Sequence, residues 1–94
     1  MAVRALLRIH GNVQGVNYRW FVQSVAKSLH VGGWARNLPD GSVEILCEAK
    51  DGPAFSGFLE RISPREGLRR VDRIDTLEFS KNAEPEHPSF EILD

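Results

Sequence analysis

Arg19 closes the stretch G-N-V-Q-G-V-N-Y-R at residues 11–19, whose glycines Gly11 and Gly15 interrupt an apolar run just before a helical pattern begins. A glycine-bearing turn feeding a helix start aims several backbone N–H groups at one small volume, and such a nest attracts an anion. A cation in the first turn is unfavourable by itself, because helix N-termini already carry partial positive charge and unpaired N–H groups. With a phosphate between them the sign reverses, since the guanidinium fork and the backbone donors then share its oxygens. On these residues alone two readings stand: a solvated first-turn arginine, or a receptor for a small oxyanion. Asn37, in A-R-N-L-P-D-G, is the second residue suited to chemistry. Its amide can donate to or accept from a water without changing charge, although asparagine also opens turns by bonding to its own backbone.

The elements that must position these residues follow from periodicity. Residues 3–10 put Ala5, Leu7 and Ile9 on one face and Arg4, Arg8 and His10 on the other, with Leu6 the exception, as a strand does. From Tyr18 to Leu29, Phe21, Val22, Val25, Ala26 and Leu29 share one helical face. The P-D-G turn at 39–41 then joins two strand-like runs into a hairpin whose second strand carries Val43, Ile45, Cys47 and Ala49 on one side. Asp51 is placed to cap a second helix with Phe55, Phe58, Leu59 and Ile62 at core spacing, ended by Ser63-Pro64. A fourth strand is expected from about Val71 to Phe79, with a phase change near Arg73-Ile74 that suggests a bulge. The polar K-N-A-E-P-E-H-P-S stretch reads as a loop, and S-F-E-I-L as a short edge strand.

The order βαββαβ plus a fifth strand predicts an α/β (α+β) two-layer sandwich with both helices on one sheet face and strand one beside strand three. In that arrangement the 11–18 loop and the end of the strand carrying Asn37 can meet at one end of the sheet.

A chain of 94 residues is expected to form one domain, residues 1–94, around a single core. Twelve basic and thirteen acidic residues leave a formal net charge of −1, too weak a field to draw nucleic acid or anionic membrane, so any anion site must be local. No membrane span or secretory segment is read, and the lone Cys47 cannot form an internal disulfide. A cytoplasmic location is the expectation.

Other chemistries lack their residues. There is no close-spaced His/Cys cluster, no G-x-x-x-x-G-K-[ST] loop and no Ser-His-Asp set. Cys47 shares the phase of Val43 and Ile45 and is expected to be a buried, inert thiol. His10 reads as an exposed strand-end residue, His87 as solvated, Arg36 as a spare cation near the site, R-E-G-L-R-R as a solvated turn, and Trp20 and Trp34 as packing residues.

G-N-V-Q-G-V-N-Y-R resembles the acylphosphatase pattern G-x-V-Q-G-V-x-[FY]-R at every specified position, and G-W-A-R-N-L-P-D-G-S-V fits the same family's second motif. Together the two blocks cover residues 11–43. The resemblance implies a ferredoxin-like fold and hydrolysis of the carboxyl-phosphate bond of acyl phosphates. The backbone N–H groups of Val13, Gln14, Gly15, Val16, Asn17 and Tyr18 are similar to the family's phosphate cradle, and Gly15 gives the anion room. Arg19 matches the family arginine that binds the phosphoryl group, and Asn37 the asparagine that positions the attacking water. A carboxylate leaving group needs no general acid, so neither a metal nor a nucleophilic side chain is implied. No cofactor is expected, and the expected partners are a small-molecule acyl phosphate and inorganic phosphate as product and competitive inhibitor. No nucleic-acid or membrane partner is expected, and the chain is expected to be a monomer.

Two positions depart from the family pattern. His30 stands where glycine commonly follows the first helix, and Ala49 where the extended second motif commonly ends in glycine. Both bear on local stability and on the hairpin that carries Asn37. The alternative is a non-catalytic anion-binding or regulatory module on the same fold, as in carbamoyl-transfer maturation proteins. An RNA-recognition domain shares the element order, but its aromatic strand signature is missing.

Overall fold

The computed structural model describes residues 2–94. Seven elements follow in the order β1 (Ala2–Asn12), α1 (Tyr18–Ser28), β2 (Gly32–Asn37), β3 (Val43–Ala49), α2 (Gly52–Arg61), β4 (Arg70–Ala83) and β5 (Phe90–Leu93). They build one five-stranded sheet in the order β4-β1-β3-β2-β5. All neighbours are antiparallel except β2 and β5, which run parallel. Strand one lies beside strand three, as the crossover argument requires.

One face of the sheet is the core. Ala5, Leu7 and Ile9 of β1 and Val43, Ile45 and Cys47 of β3 are fully buried, clustered with Val22, Val25 and Ala26 of α1 and with Phe58 and Ile62 at α2. The period-two strand pattern and the helical stripes of both helices thus meet in a single layer. Burial raises the pKa of the Cys47 thiol to about 12, which keeps it protonated and unreactive.

The opposite sheet face carries ion pairs between cross-strand neighbours. Arg4 lies opposite Glu48, and Arg36 opposite Glu44, with carboxylate contacts of 2.6 Å in each case. Arg36 is therefore committed to Glu44 and to the face of Trp34, and is not a spare cation at the site.

Local signals ended the elements as the residue types dictate. The Asp51 side chain accepts from the Ala54 N–H at 2.9 Å, capping α2 with Pro53 in its first turn. The chain leaves α1 through His30 at φ +56, the left-handed conformation that glycine adopts at less cost. β4 is longer than its hydrophobic pattern suggests. Its pairing with β1 shifts register three times, between Ala2 and Arg4, between Leu6 and Leu7, and between His10 and Gly11. The last shift lies opposite Val71–Arg73, next to the expected position, and the other two were not foreseen. Gly11 stands at that shift, where a Cβ would come within 2.1 Å of the Arg70 carbonyl oxygen, so only glycine fits there without displacement of β4.

Candidate active site

The chain leaves β1 at Asn12 and reaches α1 through five residues, 13–17, which turn twice in the left-handed region, at Gly15 (φ +75) and Asn17 (φ +58). Left-handed turns of this kind allow successive backbone N–H groups to converge on one side. No backbone carbonyl among the described residues accepts from the N–H groups of residues 14–19. Helix α1 has no side-chain cap at Asn17 and no acidic residue in its first turn. A helix start left without either partner is a set of donors without acceptors.

Two anchors hold the loop from below. Val13 is buried, and so is Tyr18, whose hydroxyl donates to the Ile62 carbonyl at 2.6 Å. Val16 packs its side chain against the core and presents its carbonyl to Arg69 Nε at 3.0 Å. The guanidinium of Arg69 also stacks over Phe21, at 5.1 Å from the ring centroid. Arg69 is thus a brace for the loop, the exception in a stretch whose residues 65–68 and 70 are exposed as expected. Its partner lies 53 residues away in sequence, so no local signal could have marked it.

A third tie runs from the loop to the hairpin. Gln14 Nε2 donates to the carbonyls of Leu38 and Ser42, at 2.8 and 2.9 Å. Leu38 and Ser42 themselves close the P-D-G turn, the Leu38 N–H donating to the Ser42 carbonyl at 2.9 Å, with Gly41 at φ +95. The Asp40 carboxylate accepts from Ser42, and those hydrogen bonds hold its pKa below the ordinary value.

Val13, Gln14, Gly15, Asn17, Tyr18, Arg19 and Asn37 line one cleft of about 300 Å³ at the end of the sheet. Trp20 and Ile92 complete its wall. Arg19 donates from Nη1 to the Leu93 carbonyl at 2.6 Å. One guanidinium nitrogen is therefore spent on β5, and the side chain is held in place while its other N–H groups stay available. One turn further along α1, Gln23 Nε2 donates to the Phe90 carbonyl at 3.0 Å, so both ends of β5 are tied to α1. Of the loop residues read from the sequence, Val16 alone is not in the cleft wall.

Besides Arg36 and Arg69, three more side chains differ from the sequence reading. Trp20 is 59% exposed and stands in the cleft wall. His10 is half-buried on the open sheet face, 3.0 Å from Asp75, and does not reach the cleft. His87 is also half-buried, with its N–H donating to Glu48 at 2.7 Å.

The acylphosphatase family model matches residues 5–92. The acylphosphatase of Thermococcus kodakarensis is 45% identical over 75 residues, which cover 78% of this chain and 79% of that one. The acylphosphatase of Methanospirillum hungatei is 40% identical over 76 residues, covering 80% and 82%. The crystal structure of the Bacillus subtilis acylphosphatase superposes with a TM-score of 0.84 at 32% identity, covering 98% of this chain and 99% of that one. With both sequence motifs gathered at one cleft and the likeness running nearly end to end, the chain belongs to the acylphosphatase family and is an acyl phosphate hydrolase.

Proposed function

We propose that hydrolysis proceeds by direct attack of a water on phosphorus, with the phosphoryl group seated among the N–H groups of residues 13–18 and gripped by Arg19. Asn37 orients the water. The water oxygen forms the new bond to phosphorus, and the bond from phosphorus to the carboxyl oxygen breaks with its electron pair leaving on the carboxylate. The water proton passes to a phosphate oxygen. A carboxylate is stable as an anion, so no general acid is needed at the leaving group, and a loose transition state chiefly asks for orientation and spread charge stabilisation. Arg19 and the loop donors supply the latter from fixed positions, without reorganisation during the reaction.

The observation that supports this reading is the shared cleft: the loop whose amides donate to no backbone carbonyl among the described residues, an arginine bonded to β5 and Asn37 on a different strand all line it. Its wall contains no carboxylate, histidine or cysteine side chain, so a metal-independent reaction is proposed with it. The compartment proposed is the cytoplasm and the state a monomer, with inorganic phosphate as product and competitive inhibitor.

Turnover of benzoyl phosphate in ¹⁸O-water with EDTA present tests the route. The label is expected in inorganic phosphate, at an undiminished rate, and Arg19→Ala is expected to lose about 100- to 1,000-fold in kcat/KM together with phosphate inhibition. Label in benzoate, or loss of turnover on chelation, overturns the route.

A further inference from the structure

We infer that Trp20 and Ile92 form the acyl subsite of the cleft and select acyl phosphates whose acyl group is apolar and uncharged. The inference rests on the hydrolysis proposed above and names the half of the substrate which that reading leaves open.

The residues lining the cleft differ in chemistry. The loop amides, Arg19 and Asn37 form a polar group that accounts for a phosphate and a water. Trp20 and Ile92 supply exposed apolar side chains. Trp20 follows Arg19 directly in the first turn of α1, and Ile92 directly precedes Leu93, the residue whose carbonyl holds Arg19. The hydrogen bond between Arg19 and Leu93 therefore joins the two segments that carry these apolar side chains.

Both are unusually uncovered for their type. Trp20 is 59% exposed and Ile92 is 36% exposed, and the indole takes part in none of the aromatic or cation–π pairs among the described residues. An indole left open beside a polar site has its apolar area to gain from a ligand and nothing from the fold. The substrate's second half must project from the phosphate out of the loop, and this apolar pair is what it meets. Arg19 is the one cationic side chain in the cleft wall, and the phosphoryl group takes it. An acyl group bearing its own carboxylate or phosphate would find no counter-charge there, whereas an aryl or branched alkyl group buries against the indole and the isoleucine.

The test compares kcat/KM for benzoyl, isobutyryl, acetyl and succinyl phosphate in the wild type, Trp20→Ala, Trp20→Phe and Ile92→Ala. The wild type is expected to favour benzoyl and isobutyryl over acetyl, and acetyl over succinyl. Trp20→Ala is expected to lower the benzoyl-to-acetyl ratio about tenfold, with Trp20→Phe keeping most of it. Ile92→Ala is expected to lower the ratio by a smaller factor. The phosphate inhibition constant of Trp20→Ala should shift less than about threefold, because the anion contacts belong to the polar group. A fall in all four substrates by one common factor, or a preference for succinyl phosphate, overturns the inference and leaves hydrolysis standing. Failure of the wild type to turn over any of the four overturns the hydrolytic reading and the acyl subsite with it.

Discussion

Gln14 donates from Nε2 to the carbonyl of Leu38 at 2.8 Å, joining the loop before α1 to the hairpin turn that begins one residue after Asn37. The proposed phosphate donors and the proposed water-positioning amide lie on segments that are distant in sequence, and this side chain ties the two segments together. Gln14→Ala removes the tie, while the Leu38 and Ser42 carbonyls keep their backbone donors Gly41 and Leu38. A shift of Asn37 by about 1 Å is enough to cost on the order of 100-fold in rate. The expected result is a fall of about 10- to 100-fold in kcat with a smaller change in the phosphate inhibition constant, read from steady-state kinetics with phosphate as inhibitor.

Tyr18 anchors the loop end to α2 through its hydroxyl, which donates to the Ile62 carbonyl at 2.6 Å in a fully buried setting. Burial raises the pKa of the phenol, so it stays a donor across the working pH range. Tyr18→Phe keeps the ring and strands the Ile62 carbonyl, at an expected cost of about 1–2 kcal/mol by urea denaturation. A change below a few tenths would show that the carbonyl finds another partner.

Glu48 makes acid stability depend on the open face of the sheet. Its carboxylate is 4% exposed and accepts from Arg4 Nε and Nη2 and from the N–H groups of Glu86 and His87. Burial pushes its pKa up, and the hydrogen bonds from Arg4 and from the Glu86 and His87 backbone outweigh that, holding it below the ordinary 4.5. A folded-state pKa below the unfolded one gives stability that is complete above the unfolded value and lost as pH falls through the folded one. Unfolding free energy is expected to drop below about pH 4.5 in the wild type, and Glu48→Gln to be less stable at pH 7 by about 1.5–3 kcal/mol with a flatter acid limb. Parallel acid limbs in the two proteins would contradict this.

His30 holds a left-handed conformation, φ +56, at the exit of α1, and is exposed. Glycine adopts that conformation without the Cβ penalty, so His30→Gly is expected to stabilise the protein by about 0.5–1 kcal/mol, read as a higher urea midpoint with an unchanged m-value. The departure from the family pattern at this position is therefore a local cost, placed away from the cleft.

Which parts were legible in the sequence follows from how local each determinant is. The helices announce themselves through stripes of core residues, the Asp51 cap and Ser63-Pro64, all within a few positions of one another. The hairpin is written in P-D-G, whose Gly41 adopts the positive φ that the turn requires. β4 was read short because it is an edge strand, largely exposed and broken by register shifts, so alternation has nothing to report. The site divides the same way. Arg19 and Asn37 stand in short motifs, but the ties that place them, Gln14 to Leu38, Arg69 to Val16 and Arg19 to Leu93, join residues 24 to 74 positions apart. Trp20 was assigned to packing, but it is 59% exposed in a cleft that it lines together with Ile92 of β5, a residue too distant in sequence for any local pattern to signal.

On the proposed route the anion grip and the aiming of water are separate tasks carried by separate residues. Phosphate affinity by calorimetry, measured beside single-turnover hydrolysis of benzoyl phosphate in Asn37→Ala, separates them most directly. A dissociation constant within about threefold of wild type with a rate reduced about 100-fold or more is the predicted result. Turnover at the wild-type rate, or loss of phosphate affinity in step with rate, would contradict it.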